Sequence, residues 1–275
     1  MSSTPVIIVP PINKKTLFIL WVLCFLGFLA VIPYQYTLAG KILTTEDLLS
    51  IDMVKGTLYN LLAYGLLIFI GLYIARRVGL GAPILDGLTN KEDVGDKVRA
   101  LWLPALVIGI LGSVTILLLD TFVFSAPLAA EMELLGINLT ASMNPPAWQG
   151  LLASLYGGVT EEILLRLFVM TLIAGLIAIA TRKIDQKLPA TIFWTANILA
   201  AVLFGLGHLP ATAQLGLQLD FLVVSRAIVL NGLLGVGFGW LYWKHGLESA
   251  MLGHFTADIV LHVIFPIIVS LSIIK

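Results

Sequence analysis

Seven apolar runs, near residues 16–36, 57–75, 101–119, 150–181, 190–210, 221–243 and 249–273, take up most of the chain. Crossing about 30 Å of hydrocarbon takes about 20 residues of helix, so each run is a candidate span. Lipid offers the backbone no hydrogen-bond partners, which leaves only helices and closed barrels as crossing structures. These runs are continuous and lack the in-out alternation of barrel strands. The expected fold is therefore all-α: a polytopic transmembrane helical bundle of about seven or eight spans, forming a single integral membrane domain over residues 1–275 in the cell membrane. Composition agrees, since 12% of residues are charged against roughly a quarter in soluble chains. The fourth run is too long for one straight crossing. It either tilts or holds a short entry helix before the Gly157-Gly158 pair.

Sixteen basic and sixteen acidic residues cancel, which sets aside a nucleic-acid partner. Cys24 is the only cysteine, so there is no disulfide framework and no Cys-based metal site, and the residue reads as lipid-facing. Lys14 and Lys15 precede the first run without a small-x-small cleavage site after it, so that run reads as a retained helix. Basic residues cluster at Lys14 and Lys15, from Arg76 to Arg99, from Arg182 to Lys187, and at Lys244. By the positive-inside rule these loops face the cytoplasm, and the loop Asp120–Trp148, without Lys or Arg, faces out. The polar stretch 79–99 reads as an extended cytoplasmic loop. Gly232, Gly235, Gly237 and Gly239 mark close helix packing, and an Asn138-Leu-Thr sequon lies in the outer loop.

Ionisable groups inside spans are expensive and point to function when they face the bundle interior. Here they are Glu161, Glu162 and Arg166 in the fourth run, His208 ending the fifth, and His254, Asp258 and His262 in the seventh. Arg226 and His245 sit near span ends, where snorkelling accounts for them. Glu162 and Arg166 are i,i+4 neighbours and form a mutually neutralising pair on one helix face. Glu161, turned about 100° from Glu162, points away from that arginine and needs another partner, with the histidines as candidates.

Residue types alone leave three chemistries open. Glu161 with a histidine can act as general base for hydrolysis. Glu161, His208 and His254 can hold zinc and a water, although no H-E-x-x-H helix is present. A Glu and His chain also suits a transporter's proton or ion path, and the same cluster suits a scaffold or immunity protein.

The ordered set Glu161-Glu162-x-x-x-Arg166, Phe204-x-x-x-His208 and His254-x-x-x-Asp258, one motif per apolar segment, resembles the CAAX prenyl protease and bacteriocin-processing family of intramembrane proteases, the Abi or CPBP family. The stretch YWKHGLESAMLGHFTAD resembles that family's last motif region, and the likeness covers about residues 150–262. It implies a metal-independent peptidase, without cofactor, acting on a peptide or protein substrate near the bilayer, possible substrates including prenylated CAAX proteins. In it Glu161 and His208 activate water, His254 and position 258 stabilise the oxyanion, and Glu162, Arg166 and Phe204 support the site. Prenyl-processing members of the family it resembles typically carry Asn where this chain has Asp258, and the wider family admits either. An ionised Asp cannot donate a hydrogen bond, so Asp258 either is protonated or orients His254 or His262.

Straight helices set these residues at different depths. At about 1.5 Å per residue, Glu161 and His208 lie about 30 Å from the basic ends of their helices, and His254 about 15 Å from Lys244. They meet only if a span is broken or re-entrant at the site, or if a boundary lies elsewhere.

Overall fold

A computed structural model describes residues 9–136, 145–214 and 216–273. The Asn138 sequon lies outside them. In chain order the elements are α1 (Lys14–Leu38), the short α2 (Thr45–Leu49), α3 (Ile51–Val78), the short α4 (Pro83–Asn90), α5 (Gly95–Leu134), α6 (Ala147–Ala180), α7 (Ala190–Gln214), α8 (Phe221–His245) and α9 (Leu247–Leu271). Among the described residues, seven of these are long and apolar enough to cross a membrane: all but α2 and α4. The protein is a polytopic helical bundle.

Two segments read as loops are folded. The stretch 79–99 carries α4, because Gly79 ends α3 in the left-handed conformation (φ 77°) and Pro83 opens the next helix at its first turn. The Glu248 carboxylate then accepts the amides of Ile84 and Leu85 at 3.1 and 2.8 Å, supplying a side-chain cap from another helix. The outer loop is also shorter than expected, since α5 continues through Asp120 to Leu134. Asp120 does not end the helix because Arg226 of α8 neutralises it through two bonds of 2.7 Å. That pair replaces the snorkelling reading of Arg226.

The loops with the basic clusters meet on one face. Asn13 before α1 donates to Thr89 of α4 at 2.6 Å, Thr16 donates to Asp86 at 2.6 Å, and Arg77 of α3 pairs with Asp185 beyond α6 at 3.3 Å.

Packing inside the bundle rests on close backbone approach, as expected where lipid removes most of the hydrophobic driving force between helices. α8 lies against α7 along the glycine row, and at Gly239 any side chain would run into Asn197. Ile68, Leu167, Met170, Phe238, Leu241 and Leu247 are fully enclosed. Cys24 is enclosed too, contrary to its lipid-facing reading. Its carbonyl accepts the Thr160 hydroxyl at 2.8 Å, so this face of α1 is turned toward α6.

The fourth span is one continuous helix without a separate entry helix. Its turns widen to π geometry at Tyr156–Glu161 and again at Ile163–Met170. The Thr171 hydroxyl bonds the Arg166 carbonyl at 3.0 Å, giving a partner to a backbone oxygen in the widened stretch. α7 breaks at His208, between an α-helix Ala190–Gly207 and a short helix Leu209–Gln214. α9 widens at Ile259–Ile264. The spans are thus irregular at the polar residues, as the depth argument requires.

Candidate active site

Glu162 is held from two sides. It is fully buried, with one carboxylate oxygen 3.3 Å from Arg166 Nε and the other 2.8 Å from His254 Nδ1. Arg166, also fully buried, donates to the Gly235 carbonyl at 3.2 Å and faces the rings of Phe204 and Phe238 at 5.3 and 5.8 Å. The i,i+4 pair is therefore present, and it extends to a histidine on another helix.

His254 on α9 is the hub. Glu162 fixes Nδ1, and Phe238 stacks on the imidazole at 4.6 Å between ring centres. Nε2 is left facing Glu161 at 3.7 Å and Asp258 at 3.6 Å. The partner that Glu161 lacks on its own helix is thus supplied by α9. Helices α6 and α9 can meet this closely because Gly157, four residues before Glu161, has no side chain. A Cβ there would collide with the Asp258 carboxylate and lie 3.1 Å from His254 Nε2.

His208 stands at the break in α7. Its Nδ1 is engaged with the Phe204 carbonyl at 2.9 Å. Phe204 packs edge-on against both His208 and His254, at 4.9 and 5.6 Å. Glu161, His208, His254 and Asp258 all line one cavity of about 540 Å³, which Glu162 and Arg166 do not line. The cavity walls are largely apolar, formed by α1 and α5 to α9, and the Asp120–Arg226 pair also lines it. This matches the usual form of a small-ligand site, concave and mostly apolar with a few converging polar groups.

Zinc ligation by Glu161, His208 and His254 would need three donors directed at one point about 2 Å from each. Among the described residues no group of three His, Cys, Asp or Glu side chains is arranged to hold a metal ion. The Nδ1 atoms of both histidines are already engaged with protein oxygens.

The cavity also brings in Tyr34, from the first span. Its hydroxyl lies 3.3 Å from His262 Nδ1, and His262 Nε2 lies 3.8 Å from Asp258. A tyrosine near a span end ordinarily reads as part of the interfacial aromatic belt, so the sequence carried no signal for this role.

Residues 143–260 match the family model for the type II CAAX prenyl endopeptidase Rce1-like family. This stretch is Rce1-like. It takes in all three motifs, including Glu161, His208, His254 and Asp258, and with the seven spans it makes the chain a multi-pass membrane peptidase acting on a peptide or protein substrate. Tyr34, Asp120 and His262, which also line the cavity, lie outside the Rce1-like stretch. No curated protein and no solved structure matches the chain.

Proposed function

We propose that the protein is a glutamate-type endopeptidase that hydrolyses a peptide bond at the membrane without a metal, with Glu161 as general base. The observation that carries this reading is the division of labour between the adjacent carboxylates. Glu162 is locked between Arg166 and His254 with no access to the cavity, whereas Glu161 borders the cavity and is 19% exposed. Only the second can meet water and substrate together.

In the mechanism Glu161 takes a proton from a water directed at the scissile carbonyl, and His208, across the cavity, helps to hold that water. As the carbonyl oxygen gains negative charge, His254 Nε2 faces it as the electrostatic partner, oriented in advance by its Nδ1 bond to Glu162. The proton on Glu161 then passes to the leaving amine as the C–N bond breaks. Arg166 contributes indirectly by neutralising Glu162. Phe204 and Phe238 fix the histidine rings and keep their surroundings dry.

The substrate proposed is a prenylated C-terminal CAAX peptide, on the strength of the family match and the apolar cavity. The test is cleavage of a fluorogenic farnesylated CAAX peptide by the detergent-purified chain, with and without a zinc chelator. Chelator-insensitive turnover that falls at least a thousandfold in Glu161→Gln is expected, the upper range for a general base combined with water positioning. Wild-type turnover in Glu161→Gln would remove Glu161 from the chemistry. Loss on chelation that zinc restores would transfer the reaction to a metal.

A further inference from the structure

The cavity holds a second polar chain that the mechanism above does not use. Tyr34 on α1 reaches His262 on α9 with OH to Nδ1 at 3.3 Å, the two rings meeting edge-on at 5.7 Å. The other nitrogen of His262 faces Asp258 Oδ1 at 3.8 Å, and the same Oδ1 lies 3.6 Å from His254 Nε2. Asp258 therefore sits between two imidazoles, one belonging to the site and one held from the first span.

The arrangement has a direction. A tyrosine hydroxyl that donates to Nδ1 of a neutral histidine leaves the histidine proton on Nε2. That N–H then faces the Asp258 carboxylate, 3.8 Å away. Two constraints keep α1 in place for this. Thr160, next to Glu161, bonds the Cys24 carbonyl at 2.8 Å, and Gly27 leaves room for the Thr160 hydroxyl where any side chain would collide. Gly150 of α6 in turn lies directly against the His262 carbonyl, so α6 and α9 are also in contact at this level.

We infer that Tyr34 and His262 are positioning residues that hold the Asp258 carboxylate beside His254 Nε2, so that Asp258 orients the imidazole by its charge and does not itself donate to the oxyanion. This rests on the peptidase reading above and adds a contribution from outside the Rce1-like stretch.

The experiment uses the full chain and the farnesylated CAAX peptide, with Tyr34→Phe, His262→Ala, Asp258→Ala and the double variant Tyr34→Phe/Asp258→Ala. Loss of one orienting hydrogen bond is expected to lower kcat about tenfold in Tyr34→Phe, with KM unchanged because Tyr34 acts through Asp258. Added to Asp258→Ala, the same change is expected to have no further effect. Wild-type kcat in Tyr34→Phe, or an equal tenfold loss in the Asp258→Ala background, would overturn the inference. Glu161→Gln is run alongside, so a failed general base and a failed Tyr34 chain give different patterns. A readout independent of turnover is the 15N NMR spectrum of His262. The Nε2–H tautomer is expected in the wild type and a tautomer mixture in Tyr34→Phe, and an unchanged spectrum would equally overturn the inference.

Discussion

Replacing Arg166 with methionine is the most informative stability experiment, because it strips a buried carboxylate of its counter-ion without leaving a large void. Nε and the Glu162 oxygen are 3.3 Å apart, and their side chains are 1% and 0% exposed, so solvent does not screen the pair. At an effective dielectric of about 20 the attraction is about 5 kcal/mol, and breaking one side of a buried pair costs about 3–5 kcal/mol. The double variant Glu162→Gln/Arg166→Met removes both charges, and the amide oxygen introduced at position 162 still accepts from His254. It should recover all but about 1 kcal/mol, the remainder being the lost bond from Arg166 to the Gly235 carbonyl. Unfolding can be followed with a thiol-reactive dye, since Cys24 is the single thiol and is fully enclosed until α1 separates. The double-mutant cycle should give a coupling of about 3 kcal/mol. If the single and double variants lose the same stability, the two groups are not compensating one another and the account of Glu162 fails.

Two further outcomes follow from the geometry. Gly157→Ala places a methyl group against the Asp258 carboxylate and close to His254 Nε2, and should lower kcat at least tenfold while dye labelling of Cys24 shows the chain still folded; wild-type turnover would mean that α6 and α9 are not held this closely in the working enzyme. Asp47 closes a capping box at α2 through the Thr44 hydroxyl and amide, at 2.7 and 2.9 Å, and these bonds hold its carboxyl below the usual 3.8. A depressed value means that the cap is complete above the ordinary carboxylate range and is lost as pH falls through the lowered one. Amide exchange over Glu46–Leu48 should accelerate there relative to the intrinsic rate, and Asp47→Asn should abolish that pH dependence.

Periodicity made one part of the site readable in advance. Four residues is one helical turn, so Glu162 and Arg166 had to share a face and Glu161 had to leave it, whatever the rest of the chain did. The span positions were readable for the same local reason, because an apolar run of the right length has few alternatives in a bilayer. What needed the fold were contacts between residues far apart in sequence. Asp120 looked like the start of a loop because Arg226 is 106 residues away. Cys24 looked lipid-facing because nothing nearby foretells the approach of Thr160. Likewise, that His254 engages Glu162 through one nitrogen and faces Glu161 through the other depends on the room left by Gly157, which a glycine in an apolar run does not announce.

Glu248 gives α9 a fixed origin. Its carboxylate is fastened to the first amides of α4, six residues before His254 and ten before Asp258. Depth and azimuth of both site residues are thereby measured from the α4 end of the helix, as marks on a ruler are measured from its clamped end. One residue added between Glu248 and His254 would advance the imidazole about 1.5 Å and turn it about 100°, away from both glutamates. The intervening segment is consequently intolerant of changes in length even where it accepts changes in side chain, and whatever displaces α4 displaces His254 with it.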